Sequence, residues 1–340
     1  MLQKHLLLWL TLSSMLAGFW PNLFGASAFD PFLASASHIG WIVAAVMFCV
    51  GTLLPTDEVR NVLNRWPLIV GGTAVQYISM PFLAWAVATA FGMTGDLCVG
   101  TIMVGCVPGA MASNVLTMVA RGNVSYSVGL TTSATLLSPL IVPVALRLTL
   151  GAQADAEFLT KSAVSLVIQV VIPVLLGLFS QRLSLLKQIA DRISGNVANV
   201  SILWVIAIVV AANRQAIQEF PVVLIAGLLL INLGGFLAGQ LGGRLLRLDS
   251  GMRRALMLEI GMQNAGVGAS LAKGLFPDNP RVALPCGLFA FGCMTTGTLL
   301  AQFLRNRTAE TEDSLNTTER PTDSASSIST NESTEPAKEM

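Results

Sequence analysis

The sequence predicts an all-α polytopic membrane protein with about ten spanning helices. Three observations point to it. Of 340 residues, 53% are hydrophobic and only 11% charged, with a mean hydropathy of +0.68, whereas a soluble domain carries about a quarter charged residues. Apolar runs of about 20 residues, the length a helix needs to cross a hydrocarbon core, recur along the chain. Lys and Arg gather in alternate connections between those runs, as short cytoplasmic loops require.

Cutting the chain wherever polar residues interrupt the apolar runs places spans near residues 5–24, 38–54, 66–91, 97–121, 124–149, 160–181, 196–212, 219–246, 252–275 and 281–304. The first run also has features of a signal peptide, since Lys4 precedes it and the small residues of GASA follow. Cleavage would leave nine spans and spoil the two-fold arrangement described below, so a retained helix is preferred. With the amino terminus inside, the inner loops and ends hold Lys4, Arg60, Arg65, Arg121, Arg182, Lys187, Arg192, Arg244, Arg247, Arg253, Arg254, Arg305 and Arg307. The outer loops hold only Arg147, Lys161, Arg214, Lys273 and Arg281. From about Asn306 the chain becomes a Ser, Thr, Glu and Asn tract without apolar periodicity, which predicts a disordered cytoplasmic tail over 306–340. Minimal loops and no organelle-type presequence suit a bacterial inner membrane, with both termini cytoplasmic.

Net charge is +1, so the bulk balance favours neither a nucleic-acid partner nor an acidic substrate. Cys49, Cys98, Cys106, Cys286 and Cys293 lie scattered in apolar runs with no CxxC pair, which predicts buried packing residues. His5 and His38 both lie near the beginning of the chain, so a histidine-based metal site or catalytic triad is implausible.

The spans fall into two sets of five, near residues 5–149 and 160–304, separated by the polar stretch GAQADAEF. Five is odd, so the halves face opposite ways, which predicts two inverted repeats over 1–150 and 151–305. No letter-by-letter similarity joins the halves; the repeat is read from hydropathy. In each half the fourth span is interrupted by polar and small residues, PGAMASN at 108–114 and EIGMQNAG at 259–266. Broken helices in matching positions point to the binding site of a carrier.

Pro108 removes a backbone donor and Gly109 tolerates dihedrals that other residues avoid, so this segment can break a helix. Free helix ends are costly in lipid and must sit against protein or a wet cavity, where carbonyls coordinate a cation and amides an anion. A packing kink is the bland reading; Ser113 and Asn114 directly after the break favour a site. Glu259 lies well inside a span, roughly 10 Å from its start at about 1.5 Å per residue. A carboxylate there is expected to be protonated, paired or bound to a cation. The alternatives are an interfacial Glu259, or a pair with Arg253 or Arg254. Ser127 and Thr131 share a helical face, although such hydroxyls usually bond to their own backbone one turn earlier. Gln76 in the third span needs a partner in lipid, and Asn232 is its rough echo in the second half.

These residues resemble the bile acid:sodium symporter family, also called sodium/bile acid cotransporters. The resemblance covers roughly residues 40–305 and rests on PGAMASNVLTMVARGNVSYSVGLTTSATLLSPL together with EIGMQNAGVGASLA. It implies a ten-helix inverted repeat with a core and a panel domain, in which the broken fourth and ninth helices cross near the membrane middle. It further implies one sodium ion held by Ser113, Asn114, Ser127, Thr131 and Glu259. A second would be held by Gln76, Gln263, Glu259 and the backbone carbonyls of Glu259, Ile260 and Met262. A hard cation prefers such oxygen ligands. On the substrate side Asn264 is retained. Many relatives have a second Gly and a Thr where this chain has Ala110 and Met111, and a Trp-His-Asn run where it has Gly292, Cys293 and Met294. A more apolar pocket follows, open to bile acids, pantoate-like acids or other organic anions.

The resulting expectation is a non-enzymatic secondary transporter that couples sodium, with two ions and no organic cofactor, to import of an organic anion through the lipid bilayer. A proton-coupled carrier using Glu259 and, further off, a channel are the alternatives. An intramembrane enzyme ranks last, since no nucleophile and base pair is recognisable.

Overall fold

The structure is a computed structural model that describes residues 6–25, 27–54, 66–219 and 222–318, with side chains described as far as residue 307. Among the described residues every regular element is helical, apart from one isolated bridge between Gly109 and Gln263. The helices are α1 (Leu6–Phe24), α2 (Ile39–Leu53), α3 (Trp66–Ala90), α4 (Gly95–Cys106), α5 (Ala112–Val119), α6 (Val124–Leu150), α7 (Ala156–Leu166), α8 (Ile172–Ser180), α9 (Ser184–Ala212), α10 (Val222–Leu245), α11 (Ser250–Gly261), α12 (Ala265–Leu275) and α13 (Leu284–Thr318). A π turn over Val167–Val171 joins α7 to α8; the Pro173 ring excludes the carbonyl four residues earlier, and the wider turn absorbs the clash.

Eight helical stretches among the described residues are long and apolar enough to cross a membrane. They correspond to the expected first, second, third, fifth, sixth, seventh, eighth and tenth spans. The fourth and ninth each consist of two short helices, α4 with α5 and α11 with α12. The protein is therefore a multi-pass, all-helical membrane protein. Its outward side chains fit that solvent: Trp41, Ile78, Leu140, Leu148 and Leu245 are all exposed, an apolar surface that lipid covers and water would not.

Two boundaries differ from the sequence expectation. Helix α9 begins at Ser184 rather than near 196, because its first turns carry Lys187, Asp191 and Arg192 and an apolar window registers only the part in hydrocarbon. Helix α13 continues through TAETEDSLNTT to Thr318, past the expected start of the tail at Asn306, because that stretch holds neither Gly nor Pro to stop it. Lys4, His5, Arg60, Arg65 and the tail over 319–340 lie outside the described residues.

The helices pack in two groups. Helices α1, α2, α8 and α9 pack on one another, while α3, α4, α6, α10, α11 and α13 surround α5 and the breaks. Each group draws on both halves of the chain. Between them, α12 packs on α2, α7 and α9, and the short turn Pro280–Ala283 packs on α9. Two hydrogen bonds cross there, from Ser270 Oγ to Gln169 Oε1 at 2.6 Å and from Asn213 Nδ2 to the Pro280 carbonyl at 3.1 Å. Within the first group, Gly51 and Gly177 let α2 and α8 touch backbone to backbone: a β-carbon at Gly51 would collide with the Val174 carbonyl, and one at Gly177 with that of Phe48. Gln181 then ties the end of α2, its Nε2 donating to the carbonyls of Gly51 and Leu54 at 2.9 and 2.7 Å. Close contact between small residues substitutes for the hydrophobic effect where lipid is the solvent. Gly51→Leu is expected to lower stability by about 3 kcal/mol or more through overpacking against backbone; an unchanged melting temperature in detergent would contradict this crossing.

Candidate functional site

The two helix breaks lie side by side in the protein interior. Helix α4 ends before Val107-Pro108-Gly109, and α11 ends before Met262-Gln263-Asn264. The exposed backbone groups satisfy one another. The Ala110 N–H donates to the Met262 carbonyl and the Asn264 N–H to the Pro108 carbonyl, each at 2.8 Å, a short antiparallel pairing at the place where a lone break would leave orphans. Asn264 also caps α12, its Oδ1 accepting from the Val267 N–H at 3.2 Å. The α11 end is tied from two further helices: Asn232 Nδ2 donates to the Gly261 carbonyl at 2.7 Å, and Thr296 Oγ1 donates to Asn232 Oδ1 at 2.5 Å.

Glu259 sits on the last turn of α11, 0% exposed. Its Oε2 accepts from Ser113 Oγ at 2.5 Å and from Thr131 Oγ1 at 2.8 Å, while Oε1 is buried without a hydrogen-bond partner. The carboxylate fits because residue 109 is glycine: a β-carbon there would collide with Oε1. Beside it, Asn114 Oδ1 accepts from Ser127 Oγ at 2.7 Å and from Thr131 Oγ1 at 3.3 Å. Thr117 and Ser127 share a hydroxyl contact of 3.2 Å.

The bland alternatives do not hold. Glu259 is buried within the protein, and neither Arg253 nor Arg254 pairs with it among the described residues; Arg254 donates to the carbonyls of Ala120 and Arg121 at 3.0 and 3.3 Å. Thr131 does bond the Ser127 carbonyl of its own helix at 3.1 Å, yet it reaches the carboxylate as well.

A second cluster adjoins the first. Gln76 and Gln263 are both buried, with 3.5 Å between Gln76 Nε2 and Gln263 Oε1. Gln263 Nε2 donates to the Ile260 carbonyl at 2.8 Å, and Gln76 Oε1 has no partner. The Met262 carbonyl is engaged by Ala110. Of the expected substrate-side residues, Ala110, Met111 and Asn264 lie in or beside the breaks and Met294 on α13, all half-buried. Asn232 was legible only as an echo of Gln76, and Thr296 not at all, because a threonine in an apolar helix gives no sign of which neighbour it meets. The cysteines are unpaired, with Cys49, Cys106, Cys286 and Cys293 buried and Cys98 half-buried. Among the described residues no group of three His, Cys, Asp or Glu side chains is placed to hold a metal.

The profile of the Sodium Bile acid symporter family matches residues 41–220. The chain is 32% identical over 296 residues to the uncharacterized sodium-dependent transporter YocS of Bacillus subtilis, covering 84% of this chain and 89% of that protein. The chain belongs to the sodium bile acid symporter family. Other relatives are the proteins named probable sodium/metabolite cotransporter BASS1, chloroplastic, of Arabidopsis thaliana and of Oryza sativa subsp. japonica. They are 30% and 29% identical, over 76% and 78% of this chain. The chain spans 64% and 65% of their length, slightly under two thirds. Membership in this family of sodium-dependent transporters makes the protein a transporter and not an enzyme.

Removing the tie at the end of α11 would leave the Gly261 carbonyl without its Asn232 partner, while Thr296 would keep its bond to the Gly292 carbonyl at 2.8 Å. Asn232→Leu is therefore expected to cost about 1–3 kcal/mol, read as a lower melting temperature; Thr296→Val, which removes one bond, should cost less. Equal stability of Asn232→Leu and wild type would contradict the tie.

Proposed function

We propose that the protein is a secondary active transporter that moves sodium together with an organic anion by alternating access. The observation that carries the proposal is the fully buried Glu259 carboxylate, with one oxygen unpartnered inside a cage of hydroxyl and amide groups. An uncompensated carboxylate in such surroundings is disfavoured by several kcal/mol, and the cage supplies neutral oxygens instead of a positive side chain. Rotating the hydroxyls of Ser113, Ser127 and Thr131 turns donors into ligands. With Asn114 and Glu259 they would hold one sodium ion, a hard cation suited to oxygen. A second ion fits Gln76, Gln263, Glu259 and the carbonyls of Glu259, Ile260 and Met262; the unpartnered Gln76 Oε1 supports it.

On this reading each pair of half-helices counts as one span, for ten spans in two inverted halves, with both termini cytoplasmic in a bacterial inner membrane. The two helix groups would then be panel and core. Contacts between them are made by α12, by Pro280–Ala283 and by α13 against α1 and α9, while α5 and α11 pack within their own group. Such packing suits a carrier closed at one end and able to rock to the other. The ends of α5 and α12 at the crossing offer backbone amides to an anion, which would meet Ala110, Met111, Asn264 and Met294. The printed names of the relatives, sodium-dependent transporter and sodium/metabolite cotransporter, support the coupling.

One observation also suits a proton-coupled carrier, since the unpartnered Oε1 could bear a proton. Proteoliposomes separate the two. An inward sodium gradient is expected to drive accumulation of radiolabelled taurocholate or pantoate at constant pH, and Glu259→Gln to reduce it to the level of protein-free liposomes. Equal accumulation driven by a pH gradient without sodium would overturn sodium coupling.

A further inference from the structure

We infer that Asn199 of α9 donates a hydrogen bond to the carboxylate of the transported anion, from the helix group that does not carry the crossing breaks. The inference rests on the transport reading and adds a contact from the first helix group to it. Asn199 lies midway along α9, between Asn196 and Ser201. Its Nδ2 is buried and has no hydrogen-bond acceptor.

The direction in which it faces follows from register. Asn213 at the end of α9 bonds Pro280, Val209 meets Gly287, and Leu203 and Ile206 share a cluster with Leu10 of α1, Ala265 of α12 and Ala290 of α13. Positions therefore fall along α9 as they rise along α13, so the two helices run antiparallel. Asn199 precedes Leu203 by four residues and Ile206 by seven, which puts it on the same helical stripe, about 6 Å further along. One turn beyond Ala290 on α13 is Met294, so Asn199 comes level with Met294. Ala265 directly follows Asn264 at the second break. The amide thus faces the region bounded by Ala110, Met111, Asn264 and Met294, where three of the four side chains are apolar.

Several polar side chains of the first helix group and of the adjoining π turn bond to protein, Gln169 with Ser270, Ser194 with Thr52 and Trp204 with Ser35, while Ser14 Oγ of α1 and Asn213 Oδ1 of α9 are buried without a partner. Asn199 Nδ2 is the unpartnered group among these that can only donate. A buried donor without an acceptor is unfavourable, and a ligand oxygen corrects it. The need for an acceptor selects an anion or carbonyl over a cation, and the transport reading makes it a carboxylate.

Thermal stabilisation of purified protein by taurocholate and by pantoate, in saturating sodium, tests this. Wild type is expected to respond to at least one of them. Asn199→Ala should raise the half-saturating concentration about tenfold, as for a hydrogen bond to a charged group. Asn199→Asp, nearly isosteric but offering only acceptors, should abolish the response. Both should keep the stabilisation by sodium alone, which also shows that they fold; if Asn199→Asp does not fold, Asn199→Ala carries the test. Wild-type responses in the variants, a wild type indifferent to both carboxylates, or variants that lose the sodium response as well would each overturn the contact. A wild type that sodium fails to stabilise would instead overturn the ion reading.

Discussion

A carboxylate that is fully buried, with no positive side chain paired to it among the described residues, dictates much of what surrounds it. Glu259 cannot sit in a continuous helix facing lipid, so α11 ends two residues later and the chain crosses a second broken helix. Room for Oε1 exists only because residue 109 lacks a β-carbon. The hydroxyls that reach Oε2 come from two different helices, α5 and α6, so the site exists only when those elements are assembled. Charge, cavity and helix packing are one constraint seen from three sides.

The breaks solve the problem that they create. Each would leave helix-end amides and carbonyls unpaired in an apolar interior. Their mutual pairing, Ala110 with Met262 and Asn264 with Pro108, satisfies two donors and two acceptors without water, and Asn232, held by Thr296, ties the Gly261 carbonyl. The cluster is held by α3, α6, α10 and α13, while the other helix group meets it chiefly through α12. The side chains of the site thus come from one helix group and the breaks it carries.

Much of the fold was legible because the bilayer imposes a length. Runs of about 20 apolar residues find spans, and PGAMASN and EIGMQNAG showed where spans would be interrupted. Glu259, Ser113, Asn114, Ser127 and Thr131 were legible too, since polar groups are costly in lipid and stand out there. The structure brings these five together, and it places Gln76 beside Gln263. Less was legible wherever meaning lies in contact rather than composition. Thr296 and Asn199 look like ordinary polar punctuation until the partner, or its lack, is seen. The start of α9 and the end of α13 escaped a hydropathy reading because both run on into polar sequence.

Isothermal titration of detergent-purified protein with sodium chloride against potassium chloride, at ionic strength held constant with choline chloride, tests the role of Glu259 most directly. The account predicts saturable sodium binding by wild type, none with potassium, and none by Glu259→Gln or by Gly109→Ala, whose β-carbon would take the place of Oε1. Sodium binding by Glu259→Gln indistinguishable from wild type would contradict it, because the charge on which the site depends would then be dispensable.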